Sequence, residues 1–314
     1  MKILVLCSYR AYAPEGIAPF VKEQMEDVAR LGAEVQYYIL HRKGVKGYLK
    51  ELKDLRLRIE DWKPDIIHAH YGLCGLLACL QRSVPVVTTY HGSDINSKKV
   101  YRLSKWAVRW SDWNIFVSSK LMTKAKNPKS ANVIPCGVDT SIFYPRDKAE
   151  CRRYFKWDED KKYVLFSKAF SVPVKNYPLA KAAVNLLQEQ GHNIELVELK
   201  GYTREEVAML MNACDCALMT SFSEGSPQFV KEALACNIPI VSTDVGDVRD
   251  VINGIATCRI TRYDAEIVAN DILFVIKQAS IQPKEEQGII AAKFSREIIA
   301  HQIDEIYQKL YAKI

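Results

Sequence analysis

Ser223-Glu224-Gly225-Ser226-Pro227-Gln228-Phe229-Val230-Lys231-Glu232 is the stretch around which the chain is organised. Before it, Cys214–Thr220 (CDCALMT) is a short apolar run that reads as a buried strand. After it, Pro227–Cys236 reads as a helix, with Ser226 as N-cap and Pro227 at the first helical position, where its missing N–H costs nothing. A helix N-terminus at the carboxyl end of a parallel strand collects anions, because free amides and the helix dipole both point outward. Glu224 stands just outside this helix and Glu232 almost two turns into it. A carboxylate beside an anion site repels the anion, so both suit hydroxyl groups better. A sugar carried on a diphosphate supplies anion and hydroxyls together.

Working outward, the first half of the chain alternates strand and helix. Strands are predicted at Lys2–Cys7, Glu34–Leu40, Asp65–Ala69, Pro85–Tyr90, Trp113–Ser118 and Ala131–Pro135. They are short apolar runs bounded by Gly, Pro or polar residues, as strands buried on both faces should be. Helical patterns lie between them at Ile17–Leu31, Lys46–Trp62, Gly72–Arg82, Lys98–Trp110 and Ser119–Lys126. The second half repeats the alternation, with strands at Lys162–Phe166, Ile194–Glu198, Asp215–Thr220, Ile238–Ser242 and Ala256–Ile260. Asp264 is placed to cap a helix over Ala265–Gln278, and Ser295 one over Ser295–Tyr311. Alternation without hairpin turns predicts an α/β protein with doubly wound parallel sheets.

The pair Glu224-x7-Glu232, with its continuation EALACNIPIVSTDVGDV (Glu232–Val248), resembles the signature of retaining glycosyltransferases of family 4. The segment VIPCGVDTSIFYP (Val133–Pro145) resembles the inter-domain segment of the same family. The resemblance implies the GT-B architecture, two Rossmann-like doubly wound domains facing a central cleft. Residues 1–145 would form an acceptor-binding domain and residues 146–294 a nucleotide-sugar-binding domain. Residues 295–314 would form a helix crossing back to the first domain.

Under that resemblance Glu224 would hold hydroxyls of the donor sugar, and Glu232 those of the ribose. Gly225, Ser226 and nearby helix amides would meet the diphosphate. Lys175, in PVKNYP (Pro173–Pro178), resembles the phosphate-binding lysine that neutralises the leaving group. The family's usual second cation is an arginine after a glycine. Here Ser167-Lys168 stands instead, and a lysine is a point charge without the bidentate fork. Gly201, in the turn Lys200-Gly201-Tyr202 before a helix capped by Thr203, falls where relatives meet the nucleotide base. An ordinary turn glycine is an equal reading there.

In the first half, Gly16 follows the first strand and would let backbone amides approach a phosphate or acceptor; an ordinary turn glycine is the alternative. The dinucleotide fingerprint G-x-G-x-x-G is absent, against a dehydrogenase. His91, in His91-Gly92-Ser93-Asp94, matches the family's donor-sugar histidine and is taken as functional. His68 and His70 end a strand without a third ligand in view, and read as core or capping histidines rather than a metal site.

Composition narrows the rest. With 314 residues, 48% hydrophobic and 26% charged, the chain has room for two globular domains. Its apolar runs are too short to span a bilayer, and Tyr9-Arg10 breaks the N-terminal run, which is a first strand rather than a leader. Nine cysteines without metal spacing suggest reduced, buried thiols in a cytoplasmic protein. A net charge of +7 suits an anionic substrate, a membrane surface or nucleic acid alike. Two basic amphipathic helices, Lys46–Trp62 and Lys98–Trp110, admit peripheral contact with the inner face of an anionic membrane; a charged solvent face is the blander alternative. Asp158-Glu159-Asp160 sits in a charged turn and reads as a solvated loop, so no metal is expected. The function expected is transfer of a sugar from a UDP- or GDP-sugar to a glycan, lipid-linked or small-molecule acceptor, with no cofactor and no nucleic-acid partner. A GT-B epimerase or phosphorylase, or a non-catalytic nucleotide-sugar-binding module, is the alternative.

Overall fold

The computed structural model describes residues 1–11, 13–42, 44–281, 290 and 293–312. The chain divides into two compact units, Met1–Gly137 with Arg296–Ile314, and Val138–Ser295. The division thus falls before Val138 rather than after Pro145. Packing explains the difference: Phe143 is buried in the core of the second unit, and the Val138 N–H donates to the Phe294 carbonyl at 2.7 Å. Residues 313–314 of the expected terminal segment lie outside the described residues.

The first unit holds a sheet of six strands: β1 (Lys2–Ser8), β2 (Glu34–Leu40), β3 (Ile66–His70), β4 (Val86–Tyr90), β5 (Trp113–Phe116) and β6 (Ala131–Val133). Their order is β2-β1-β3-β4-β5-β6, and every pairing is parallel. The second unit holds a sheet of five: β7 (Lys162–Phe166), β8 (Ile194–Glu198), β9 (Cys216–Met219), β10 (Ile240–Thr243) and β11 (Cys258–Thr261). Its order is β11-β10-β9-β7-β8, again all parallel. Each sheet reverses direction once, between β1 and β3 in the first and between β7 and β9 in the second. At such a switch point the loops leaving neighbouring strands part to opposite faces and open a crevice, the usual ligand position in open α/β sheets.

β3, β4, β9 and β10 are buried along their whole length, so their residues do not alternate between core and solvent, and β3 carries two histidines, His68 and His70, into the interior. Helices supply the cover. The C-terminal helix, Arg296–Tyr311, buries Ile299, Ile303, Ile306, Tyr307 and Leu310 in the core of the first unit with Ile3, Val5, Met25 and Val28. Arg296 Nε donates to Asp27 Oδ2 at 2.6 Å, fixing its start against helix Pro19–Arg30. In the second unit, Asp215 anchors the amino edge. It accepts from Arg152 Nη2 at 2.7 Å and the Tyr163 N–H at 2.8 Å, and pairs with Lys148 at 2.6 Å.

All nine cysteines are free and buried, and burial pushes the Cys7 thiol up to about 12, so these are packing residues rather than nucleophiles. Among the described residues, no helix is long and apolar enough to cross a membrane.

Candidate functional site

At the switch point of the second sheet, the loops after β7 and β9 are bonded to each other. The Phe222 N–H donates to the Val174 carbonyl at 2.9 Å, and Thr220 Oγ1 donates to the carbonyls of Lys175 and Asn176, each at 2.9 Å. Lys175 ends a short 3-10 turn, Pro173–Lys175, and Asn176 takes a left-handed conformation that starts helix Tyr177–Glu189. This framework brings Lys175 Nζ to 2.6 Å from Glu224 Oε1, with both side chains partly exposed. The sequence placed these two residues separately, one on phosphate and one on sugar; the fold pairs them.

Glu232 lies on helix Gln228–Ala235 and is buried, with Oε1 accepting from Arg204 Nη1 at 3.4 Å. Both face a cavity of about 320 Å³ that Phe143, Lys168, Gly201 and Tyr202 also line. Three residues singled out from the sequence, Glu232, Lys168 and Gly201, therefore share one pocket. Its volume is at the lower end of the range for small-molecule sites. Arg204 was not anticipated. The signal for it was the Thr203 capping box with Glu206, which makes Arg204 the first residue of helix Arg204–Ala213 and turns it toward the pocket. Its guanidinium lies 5.0 Å from the centre of the Phe143 ring.

Ser226 departs from the expectation. The helix starts one residue later, with Pro227 as N-cap and no side-chain cap. The Ser226 hydroxyl instead donates to Asp247 Oδ2 at 2.6 Å and accepts from Lys231 Nζ at 2.5 Å. Lys231 is 0% exposed, and Asp247 lies 3.9 Å from its ammonium. A buried ammonium is tolerated only with such compensation, and these partners claim the hydroxyl that a cap would use. Burial pushes the Asp247 carboxyl up, and Lys231 pulls it back. Gly246, at φ +55°, completes the clamp: a Cβ there would stand 2.5 Å from the Gly225 carbonyl oxygen.

In the first unit, a column of histidines runs along the carboxyl edge of β3 and β4. His68 and His70 stack at 4.5 Å, and His70 and His91 at 5.3 Å. His68 bonds Tyr307 Oη at 2.5 Å and Thr89 Oγ1 at 2.7 Å, while His70 Nδ1 meets His91 Nε2 at 3.1 Å. Burial drives all three rings well below their ordinary value, His70 to about 3, so they are neutral imidazoles. The other ring nitrogen of His91 faces Cys136 Sγ at 4.0 Å. One ring nitrogen of His91 is thus taken by His70, while the residue is half-buried, so both its ring and its backbone can meet a ligand. That backbone is pinned by Asp94, whose carboxylate accepts the N–H of Gly72 at 3.2 Å, His91 at 3.2 Å and Gly92 at 2.9 Å.

Gly16 lies in a turn, Pro14–Gly16, at φ +73°, where a Cβ would stand 2.4 Å from the Tyr9 ring. The positive φ by itself favours glycine there, and helix Pro19–Arg30 begins further on than Ile17. Asp158 Oδ1 accepts the Asp160 N–H at 2.9 Å, closing its own turn. Among the described residues, no three His, Cys, Asp or Glu side chains stand close enough to hold a metal ion.

Two family descriptions match the sequence: Glycosyltransferase Family 4 over residues 9–142 and Glycosyl transferases group 1 over residues 172–278. TuaC of Bacillus subtilis, named for teichuronic acid biosynthesis glycosyltransferase, is 29% identical over 234 residues, covering 66% of this chain and 59% of TuaC. The chain therefore spans less than two thirds of that relative. The glycosyltransferase MJ1178 of Methanocaldococcus jannaschii is 26% identical across 85% of this chain and 82% of its own. Among solved structures, sucrose-phosphate synthase from Thermosynechococcus elongatus superposes with a TM-score of 0.83 at 17% identity, covering 100% of both chains. Anabaena HepE in complex with UDP gives 0.75 at 16% identity, covering 98% of this chain and 100% of HepE. At these identities the structural likeness speaks for the fold, two Rossmann-like units of the GT-B kind.

The neutral histidines make stability depend on pH. Unfolded, each imidazole titrates near its ordinary 6.5; folded, burial holds it neutral far below that. The unfolded chain then binds more protons, so stability falls as pH drops below about 6.5, levelling only near the folded value, about 3 for His70. Each such histidine contributes about 1.4 kcal/mol per pH unit. Urea melts of His70→Gln between about pH 6 and pH 4.5 should give a slope shallower than wild type by about that amount. An unchanged slope would show that His70 is already charged in the folded protein.

Proposed function

The chain belongs to glycosyltransferase family 4, and from that premise we propose that it is a retaining hexosyltransferase. It takes a UDP- or GDP-sugar as donor, needs no metal, and delivers the sugar to a glycan, lipid-linked or small-molecule acceptor. The observation that carries this reading is the Lys175–Glu224 pair at the switch point, beside the pocket that Glu232 and Lys168 line. An ammonium for a phosphate, a carboxylate for sugar hydroxyls and a second carboxylate for a ribose follow one another along a single sheet edge. UDP is the first nucleotide to try, since HepE was solved with it.

Glu232 and Arg204 hold the nucleoside end, and Lys175 with Lys168 takes the diphosphate as two point charges. When the bond from the anomeric carbon to the phosphate oxygen breaks, its electron pair stays with the diphosphate, where Lys175 stabilises the growing charge. The ring is left oxocarbenium-like, and Glu224 lies close enough to favour it. The acceptor hydroxyl attacks from the face the diphosphate has left, and its proton passes to a phosphate oxygen. His91 serves through its ring or its Asp94-pinned backbone as a donor-sugar contact. Positioning and electrostatics carry the acceleration.

Peripheral contact with an anionic membrane belongs to the same reading, and helix Lys98–Trp110 supports it. The helix carries no acid, and Lys98, Lys99, Arg102, Lys105 and Arg109 are exposed together with Leu103, Trp106 and Trp110. Arg82 lies 5.3 Å from the centre of the Trp110 ring, adding a cation beside it. Tryptophans interleaved with cations suit the boundary between headgroups and acyl chains. Helix Gly44–Trp62 is different: its own Arg58–Asp61 pair, and Asp54 held by Arg42 from the preceding segment, make it a mixed-charge solvent face.

The two glutamates should separate in steady-state kinetics. Glu224→Gln removes charge that favours the developing cation, so kcat should fall by more than donor KM rises. Glu232→Gln loses hydrogen bonds made equally in ground and transition states, so donor KM should rise while kcat holds. Each loss should be worth about 1.5–3 kcal/mol, and neither protein should lose activity in excess EDTA. Wild-type turnover in Glu224→Gln would show the site to be misassigned.

Sedimentation with vesicles reads the membrane contact. The chain should co-sediment with anionic but not neutral liposomes, be released by salt, and lose binding when Trp106 and Trp110 are both changed to Ser. Equal partitioning onto both lipids, or onto neither, rules the contact out.

A further inference from the structure

Beyond Glu224, the carboxyl edge of the second sheet holds two aromatic rings that neither core packing nor the donor reading uses. Phe222 is 58% exposed and Tyr263 54%. They stack on each other, with centroids 5.6 Å apart and planes 27° from parallel. Both are anchored. The Tyr263 hydroxyl donates to the Ser221 carbonyl at 2.9 Å, an oxygen that also accepts from Thr243 Oγ1 at 2.7 Å. The Phe222 N–H is bonded to Val174, next to Lys175. Isolated exposed apolar residues are ordinary on a protein surface, but a bonded, stacked pair at the rim of a ligand site is a preformed surface.

We propose that Phe222 and Tyr263 form a shelf for a pyranose ring of the acceptor, a carbohydrate subsite beside the one that takes the donor sugar; this rests on the transferase reading above. Strand order carries the argument. The sheet runs β8-β7-β9-β10-β11, and its carboxyl edge presents groups in that sequence. The Gly201–Arg204 pocket follows β8, Lys168 and Lys175 follow β7, and Glu224 follows β9. The aromatic pair spans from β9 to β11. A nucleotide sugar laid along this edge, nucleoside first, places its sugar at Glu224, and the shelf flanks that position, so an acceptor ring resting on it turns its hydroxyl back to the face the diphosphate leaves.

The chemistry fits a sugar. One face of a hexopyranose presents a patch of C–H groups with slight positive character, and the face of an aromatic ring is negative. Stacking of this kind recognises the ring without reading every hydroxyl. It selects acceptors that end in a sugar over those that offer an isolated alcohol, which narrows the acceptor to a glycan or a sugar-terminated lipid.

The test uses the full chain with saturating UDP, and with GDP in parallel. Saturation-transfer NMR is recorded with the methyl glycosides of glucose, galactose, mannose and N-acetylglucosamine. At least one glycoside should receive saturation from the wild-type protein. Phe222→Ala and Tyr263→Ala should each weaken that binding at least tenfold, and Tyr263→Phe, which keeps the ring but loses its anchor, should weaken it less. Because both side chains are more than half exposed, the variants should stay folded and melt within a few degrees of wild type, about the cost of one stack and one hydrogen bond. Binding unchanged in Phe222→Ala would place the sugar elsewhere, at Glu224 for instance, and overturn the shelf. Saturation of none of the four glycosides overturns it as well. Calorimetric titration with UDP and GDP separates the two levels: nucleotide binding kept while glycoside binding fails removes only the shelf, whereas failure of both nucleotides removes the transferase reading beneath it.

Discussion

Strands buried on both faces leave their neighbours little choice. A parallel pair cannot be closed by a hairpin, so each strand must be followed by a crossover, and the crossover helices must cover the sheet. Every loop that follows a strand then emerges at the same edge, and every loop that precedes one emerges at the other. In the second unit the two edges have different tasks. Asp215, with Arg152 and Lys148, fastens the amino edge. Lys175, Glu224 and the residues around Gly201 stand at the carboxyl edge, where the strand order reverses and the loops separate.

Charge at that edge is arranged in compensated pairs. Glu224 stands 2.6 Å from the Lys175 ammonium, so the carboxylate that follows β9 is balanced by the cation that follows β7. Behind the same loop, the Lys231 ammonium is wholly buried and held by Ser226, with Asp247 close by. Removing one partner from such a group leaves a buried charge uncompensated and typically costs about 3–5 kcal/mol. The loop bearing Glu224 is therefore gripped from behind by ionic contacts and by the close approach of Gly246 to Gly225.

Periodicity and turn residues made most of the fold legible. All eleven strands lie within a few residues of where apolar runs and their Gly or Pro boundaries placed them, and Asp264 and Thr203 cap the helices they precede. The unit boundary was misplaced because Pro145 looks like a linker residue, whereas the burial of Phe143 depends on long-range packing that no local pattern encodes. The same limit applies within the site. The residues at Glu224, Lys175 and Glu232 stood out by spacing and context. That Lys175 would pair with Glu224, that Ser226 would turn inward to Asp247, and that Arg204 would face Glu232 are tertiary facts. Ser226 was read as a cap because Ser before Pro is a good local signal; a buried lysine five residues on outweighed it.

The C-terminal helix gives the chain an unequal order of completion. The second unit is one continuous segment, Val138–Ser295, while the first is assembled from Met1–Gly137 and Arg296–Ile314. During synthesis, the ribosome has joined every residue of the second unit before it makes the helix that covers Ile3, Val5 and Met25. Until Tyr307 arrives, His68 lacks its 2.5 Å partner and one face of the first core stays open to water. The half of the protein that is made first is thus the half that finishes last. Its exposed apolar surface is what a nascent-chain chaperone would meet during that interval.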